Sequence, residues 1–266
     1  MEVLFLILLF ILGACLGSFL CCQARRLHHR SKKGSSKLNS RSICLHCKYQ
    51  LKWYDNIPII SWFCLRGKCR KCHKPIGWAE ILTELGLGLA WLALGTTINI
   101  TTADPLIWTI FIVTLILTLP LAFLSVYDGL YGELPTKHLL IAIAIAVIIL
   151  SLKQTVILLD TGFTPDIILR PLGAVLVLGG LYLILYLISH GKWVGDGDWL
   201  LGVAIGLALA DVWLALIALF IANLLACLCA LPNLKKSKKI YFGPFLAIAF
   251  VITLTFADFF YYAIGG

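Results

Sequence analysis

From Ile81 onward the chain is little more than apolar blocks joined by short polar links, and that pattern decides the solvent in which it folds. About 20 consecutive apolar residues cross about 30 Å of hydrocarbon. Eight blocks approach or reach that length, at residues 3–22, 81–100, 105–127, 136–152, 168–189, 199–210, 212–231 and 244–262. They are continuous rather than alternating, which predicts helices and not barrel strands. The sixth block is short, and Asp211 is read as its outer end rather than a break in a longer helix. Apolar residues make up 61% of the chain and charged residues 13%, too little polar surface to cover a soluble domain of this size. The expected fold is an all-α polytopic membrane protein with eight transmembrane helices, one per block.

Positive charge orients those helices. With the amino end outside, four segments face the cytosol: 25–78 carries 14 Lys or Arg, 128–137 carries one, 190–198 carries one and 232–241 carries four, which is 20 of 22. Lys153 and Arg170 are left for the opposite side. The net charge of +9 therefore belongs to one membrane face, where it meets anionic lipid. No basic and aromatic interleaving points to nucleic acid. A cleaved secretory signal begins with basic residues, whereas this chain opens Met-Glu and places Arg25-Arg26 after its first apolar run. That run is expected to remain as an anchor, and Leu12-Gly13-Ala14-Cys15 is read as part of it rather than as a lipoprotein cleavage box.

Five of the ten cysteines lie within the first spanning block and the seventh, where cysteine behaves as a small apolar residue. Four of the others are spaced for a metal: Cys44-x-x-Cys47, 21 intervening residues, then Cys69-x-x-Cys72. Two such knuckles supply four thiolates to a tetrahedral Zn²⁺. His46 and His73 stand beside ligands and could replace one. A short basic segment has little core of its own, so bound metal would supply much of its folding energy. Four protein ligands leave no open position, so this zinc is expected to be structural. The organisation that follows is a first transmembrane helix at 1–24, a cytosolic zinc-ribbon-like insert at 25–78, and a seven-helix membrane domain at 79–266.

Carboxylates near hydrocarbon are costly and usually functional or paired. Asp128 follows the third block in Tyr127-Asp128-Gly129-Leu130-Tyr131-Gly132-Glu133-Leu134-Pro135, and Asp198 ends Gly195-Asp196-Gly197-Asp198 and opens the sixth. Span counting alone puts both at the cytosolic boundary. Two neighbouring aspartates can share a proton, one activating water while the other polarises a peptide carbonyl. Gly195 and Gly197 permit close backbone approach, and Pro135 suits the first turn of the fourth helix. Helix ends favour the shared proton on Asp128, after a carboxyl end, and the water-activating role for Asp198, at an amino end. A single aspartate at either place could be only a cap. Asp196 and Asp198 also read as a metal-binding DxD of a membrane glycosyl- or phosphoryl-transferase, and the cysteine segment as the docking element of a non-enzymatic scaffold.

Taken in order, these motifs resemble the type IV prepilin peptidases, the GxGD class of intramembrane aspartyl proteases. The resemblance runs from Gly17-Ser18-Phe19-Leu20 through Cys44-Leu45-His46-Cys47, Asp55-Asn56-Ile57-Pro58-Ile59-Ile60-Ser61-Trp62 and Arg66-Gly67-Lys68-Cys69-Arg70-Lys71-Cys72. It continues with Asp128 and Pro135, Gly195-Asp196-Gly197-Asp198, and Phe242-Gly243-Pro244. The resemblance implies an enzyme of the bacterial cytoplasmic membrane that removes a basic leader from prepilins or pseudopilins after a glycine, on the cytosolic side. Many members then methylate the new amino terminus with S-adenosylmethionine. It assigns catalysis to Asp128 and Asp198, zinc to Cys44, Cys47, Cys69 and Cys72, and a methyl-transfer or substrate contact to Glu84. Two departures stand out: Leu200 where the family usually has lysine, and Ala79-Glu80-Ile81 where it often has Arg-Tyr-Pro.

Overall fold

The computed structural model describes residues 2–33, 42–44, 46–191, 194–231 and 241–264, with side chains in the first helix described as far as residue 29. Lys192 and the four lysines of 232–241 lie outside the described residues.

Every apolar block is helical, as continuous hydrophobic sequence without a water-facing stripe requires. The elements are α1 (Glu2–Lys33), the short α2 (Ile60–Cys64), α3 (Ala79–Gly95), α4 (Pro105–Tyr131), α5 (Thr136–Thr161), α6 (Asp166–Val175), α7 (Leu181–Ser189), α8 (Asp198–Leu209), α9 (Val212–Ala230), α10 (Gly243–Thr255) and α11 (Ala257–Ile264). A π turn at Leu176–Gly180 joins α6 to α7, and a 3₁₀ turn covers Trp53–Asn56. Among the described residues the only β pairing is two isolated bridges, Ile43 with Gln50 and Lys68 with Pro75.

This is an integral membrane protein, but its helices are less uniform than the eight blocks imply. Among the described residues five stretches, α6–α7 counted as one, are long and apolar enough to cross a bilayer, and α10 with α11 makes a sixth if that pair, bent by 73°, is one span. The 17 residues of α3 and the 12 of α8 extend about 26 and 18 Å at about 1.5 Å per residue. Neither reaches across about 30 Å unaided.

The chain forms two compact units, Met1–Gly95 and Thr96–Gly266. In the first, α1 and α3 pack almost backbone to backbone. A Cβ on Gly13 would lie 2.7 Å from the Leu87 carbonyl oxygen, and one on Gly17 would lie 2.6 Å from that of Thr83. Small residues spaced by four are how membrane helices approach closely where lipid removes the hydrophobic drive. By packing, α3 belongs with α1, although its sequence reads as the start of the later helices.

In the second unit α8 is the buried centre, with eight of its 12 residues buried. Gly202 and Gly206 bring it onto the α6–α7 span: a Cβ at either would lie 2.6 Å from the Leu178 oxygen or 2.8 Å from that of Ala174. The π turn occurs at this contact. Leu139, Ala142 and Ala146 of α5, Ala215 and Ala218 of α9, and Leu246 and Phe250 of α10 complete the core around α8. The outward residues Leu140, Ile141, Val147 and Ile148 of α5 are exposed and apolar, as a lipid-facing surface should be.

Candidate metal centre and aspartate site

In the first unit the two cysteine knuckles are built alike. Cys44 N–H donates to Tyr49 O and Lys48 N–H returns to Cys44 O; Cys69 N–H donates to Lys74 O and His73 N–H returns to Cys69 O. Each knuckle is closed by one of the isolated bridges. The residue after each second cysteine, Lys48 (φ 59°) or His73 (φ 55°), is left-handed, which turns the chain back so that both thiols of a knuckle point inward. Asp55, 8% exposed, links the intervening loop to the second knuckle through a 2.8 Å ion pair with Arg70 Nε. The Arg70 guanidinium also lies 5.0 Å above the Tyr54 ring.

The four sulfurs lie within 4.8 Å of one another, with Cys44 to Cys72 and Cys47 to Cys69 both at 3.9 Å. A tetrahedron with Zn–S bonds of about 2.3 Å has edges of about 3.8 Å, so the donor set fits that ion. Thiols this close cannot all ionise without a cation between them. Backbone N–H groups of Cys72 and Lys71 hold Cys69 down to about 7. Cys72 is pushed up to about 11, the Lys74 N–H opposing the shift while burial and the neighbouring thiols carry it. Both histidines considered as substitutes are exposed and lie outside the sulfur cluster.

Glu84 of α3 is 6% exposed, and its Oε2 accepts the Ile59 N–H at 2.7 Å. Ile59 has φ 64°, a strained conformation for a β-branched residue, so this bond ties a strained loop onto α3. A cavity of about 640 Å³ opens beside it, lined among others by Ser18, Arg25, Trp62, Arg70, Glu80 and Glu84. Arg25 pairs with Glu80 at 2.6 Å.

Both aspartates of the sequence motifs belong to the second unit and both are buried, Asp128 at 6% and Asp198 at 7% exposure. Asp128 lies inside the last turn of α4 rather than after it; the helix ends at Gly132 (φ 69°), whose N–H donates to the Asp128 carbonyl. Its carboxylate Oδ2 accepts the Gly243 N–H at 3.0 Å. Gly243 is the first residue of α10, so Asp128 faces a helix amino terminus as well as occupying a carboxyl one. Asp198 is the first residue of α8 and accepts the Gly195 N–H at 2.8 Å on Oδ2.

Glycines approach both carboxylates closely, more tightly at Gly243 than at Gly195. A Cβ on Gly243 would lie 2.9 Å from Asp128 Oδ2, and one on Gly195 would lie 3.2 Å from Asp198 Oδ2. Gly197 presses on the α4–α5 link: a Cβ there would lie 2.5 Å from Leu134 Cβ. The two aspartate-bearing motifs thus touch within one unit, through residues next to the acids. Pro135 is the N-cap of α5 rather than its first-turn residue; its carbonyl accepts the N–H groups of His138 and Leu139. Asp196 is exposed.

Similarity to known proteins covers most of the chain. The Bacterial Peptidase A24 N-terminal domain matches residues 11–98, which take in both knuckles and Glu84. The prepilin leader peptidase/N-methyltransferase of Aeromonas hydrophila is 32% identical over 238 residues, covering 82% of this chain and 72% of that protein. The chain belongs to the prepilin leader peptidase/N-methyltransferase family. The member from Legionella pneumophila is 30% identical over 251 residues, 90% of this chain and 80% of its own. The member from Dichelobacter nodosus is 31% identical over 219 residues, 81% and 71% respectively. No solved structure matches. Within this family framework the two departures have visible surroundings: Leu200 packs against the apolar core of the second unit, and Glu80 is engaged by Arg25.

Sequence reasoning did not assign a role to the Gly243 N–H. The Phe-Gly-Pro triplet was the available signal, since Pro at the second helical position announces a helix amino terminus and glycine before it leaves the N–H open to an anion.

Proposed function

We propose that the protein is an intramembrane aspartyl endopeptidase that removes the leader of type IV prepilins or pseudopilins at the cytosolic face of the bacterial cytoplasmic membrane. One observation carries the reading: two buried carboxylates in one apolar unit, each accepting the backbone N–H of a glycine. Burial of acids near hydrocarbon is costly, and a site that fixes two of them is suited to sharing a proton. One carboxylate accepts a proton from water as the oxygen attacks the scissile carbonyl. The other protonates the developing oxyanion; as the tetrahedral intermediate collapses, the proton taken from water passes to the leaving amine and the second carboxylate recovers its proton from the intermediate's hydroxyl. The N–H groups of Gly195 and Gly243 orient the acids, and the apolar surroundings exclude competing water. Asp196, exposed where Asp198 is buried, does not favour the DxD alternative.

We further infer that Zn²⁺ on Cys44, Cys47, Cys69 and Cys72 is structural, and that the new amino terminus is methylated from S-adenosylmethionine. The cavity beside Glu84 has the volume of a small-molecule site, which runs from about 300 to 1,000 Å³, and acidic and basic walls suited to a zwitterionic donor. Zinc, when bound, supplies fold energy to the knuckles.

The deciding experiment co-expresses the full chain with prepilin-like substrates and follows leader removal by gel shift and amino-terminal mass. Asp128→Asn and Asp198→Asn should each accumulate in the membrane and fail to process, while Asp196→Asn keeps substantial activity. Full cleavage by either of the first two ends the dyad reading.

A further inference from the structure

Lys153 has no part in the chemistry above, and the sequence accounts for it only as a basic residue on the outer side. Its surroundings assign it more. From α5 its Nζ donates to the carbonyl oxygens of Ala208 at 2.8 Å and Leu209 at 3.3 Å. These are last-turn acceptors of α8, which have no partner within the helix. In hydrocarbon such groups must be satisfied by protein, and a cation at a helix carboxyl end is favoured by the dipole as well.

The turn that follows is polar and closed. Ala210 is left-handed (φ 58°). Asp211, 5% exposed, caps α9 by accepting the N–H groups of Trp213 and Leu214 on Oδ1. Its Oδ2 stands 3.6 Å from Arg170, and its charge acts on Lys153. Lys153 therefore brings its ammonium to α8 with an anion nearby to balance it.

The consequence lies at the other end of α8. Asp198 is its first residue and Leu209 its last. At about 18 Å the helix cannot reach both interfaces, so headgroup anchoring does not fix its axial position. Packing against α5, α6–α7, α9 and α10 and the Lys153 clamp at its end do so. Meanwhile α5 starts only a short link after α4, at Thr136 against Tyr131, which registers it to the helix bearing Asp128. We propose that Lys153 is a positioning residue: by tying the end of α8 to α5, it sets the depth of Asp198 relative to Asp128. This rests on the aspartate-pair reading, whose own failure would appear separately, as activity in Asp128→Asn or Asp198→Asn.

The test uses the full chain in lipid nanodiscs with a prepilin substrate. Lys153→Met keeps the length and removes the cation. A displacement of about 1 Å at a reacting group can cost on the order of 100-fold, so kcat should fall about 10- to 100-fold. Because substrate contacts are untouched, KM should stay within about two-fold. Lys153→Arg reaches the same carbonyls and should restore kcat to within about three-fold of the parent, which a general packing defect would not allow. If the methionine variant does not accumulate, Lys153→Gln, which retains a neutral donor, is measured by the same split and should show the same loss in kcat. Wild-type kcat in the methionine or glutamine variant overturns the proposal. So does a loss confined to KM, or an arginine variant that folds but is not rescued.

Discussion

Gly243→Ala is the sharpest probe of how the aspartate site is held. The new methyl group would sit 2.9 Å from Asp128 Oδ2, 3.4 Å from its Cβ and 3.5 Å from its Cγ, so either the carboxylate turns away or the start of α10 shifts. Both movements break the 3.0 Å bond from the Gly243 N–H. A hydrogen bond to a charged group is worth about 1.5–3 kcal/mol. If all of that is lost from the transition state, the cost is roughly 10- to 150-fold in kcat/KM at about 1.36 kcal/mol per decade. The assay is initial-rate leader cleavage by purified full-length enzyme, with thermal unfolding recorded in parallel. Gly129→Ala is the control: it adjoins Asp128 in sequence, but a Cβ there meets nothing within 4 Å. It should cleave at the parental rate and be no less stable, since alanine is favoured over glycine within a helix by about 0.5–1 kcal/mol. A folded Gly243→Ala enzyme with unchanged kcat/KM would refute the claim that this N–H orients Asp128.

Two further outcomes concern the first unit. Purified protein should carry about one Zn²⁺ per chain, and Cys44→Ser or Cys72→Ser should remove most of it and expose residues 42–76 to limited proteolysis; a metal-free yet fully active enzyme would reject a required zinc. Glu84→Gln should leave leader cleavage intact, because an amide oxygen still accepts the Ile59 N–H, while amino-terminal methylation falls if the carboxylate charge serves methyl transfer. Mass spectrometry of the processed substrate reads both steps, and unchanged methylation would leave Glu84 with only the structural role of tying Ile59 to α3.

Much of this architecture is written locally. Continuous apolar runs can only become helices in lipid, and all eight did. The cysteine spacing specifies two knuckles, and the four thiols converge as that spacing demands. What sequence could not convey is where short helices stop mattering as spans and start mattering as carriers. Hydropathy treats residues 199–210 as one more crossing, whereas α8 is a buried 12-residue helix fixed by glycine contacts on one side and by Lys153 at its end. The bend between α10 and α11 likewise has neither proline nor glycine to announce it, for Thr255, Phe256 and Ala257 occupy the break.

Long-range partners were equally hidden, and one of them changes the chemistry. The Gly243 N–H reaches Asp128 across 115 residues, and no local pattern encodes that distance. Helix-end reasoning from the sequence had separated the two acids, Asp128 beside a carboxyl terminus and Asp198 at an amino terminus, and assigned the shared proton to Asp128. With α10 starting at Gly243, Asp128 also receives an amino-terminal N–H, so each acid now has one on its Oδ2. The favourable dipole contribution, up to about 2 kcal/mol at a partly buried helix end, therefore acts on both acids, and only Asp128 also carries the opposing carboxyl end of α4. A geometric difference adds to this: the N–H on Asp198 comes from its own turn, three residues away, whereas the one on Asp128 comes from a separate helix. The Asp128 bond is thus the one that movement of α10 can make or break, and the proton shared by the pair should follow that movement.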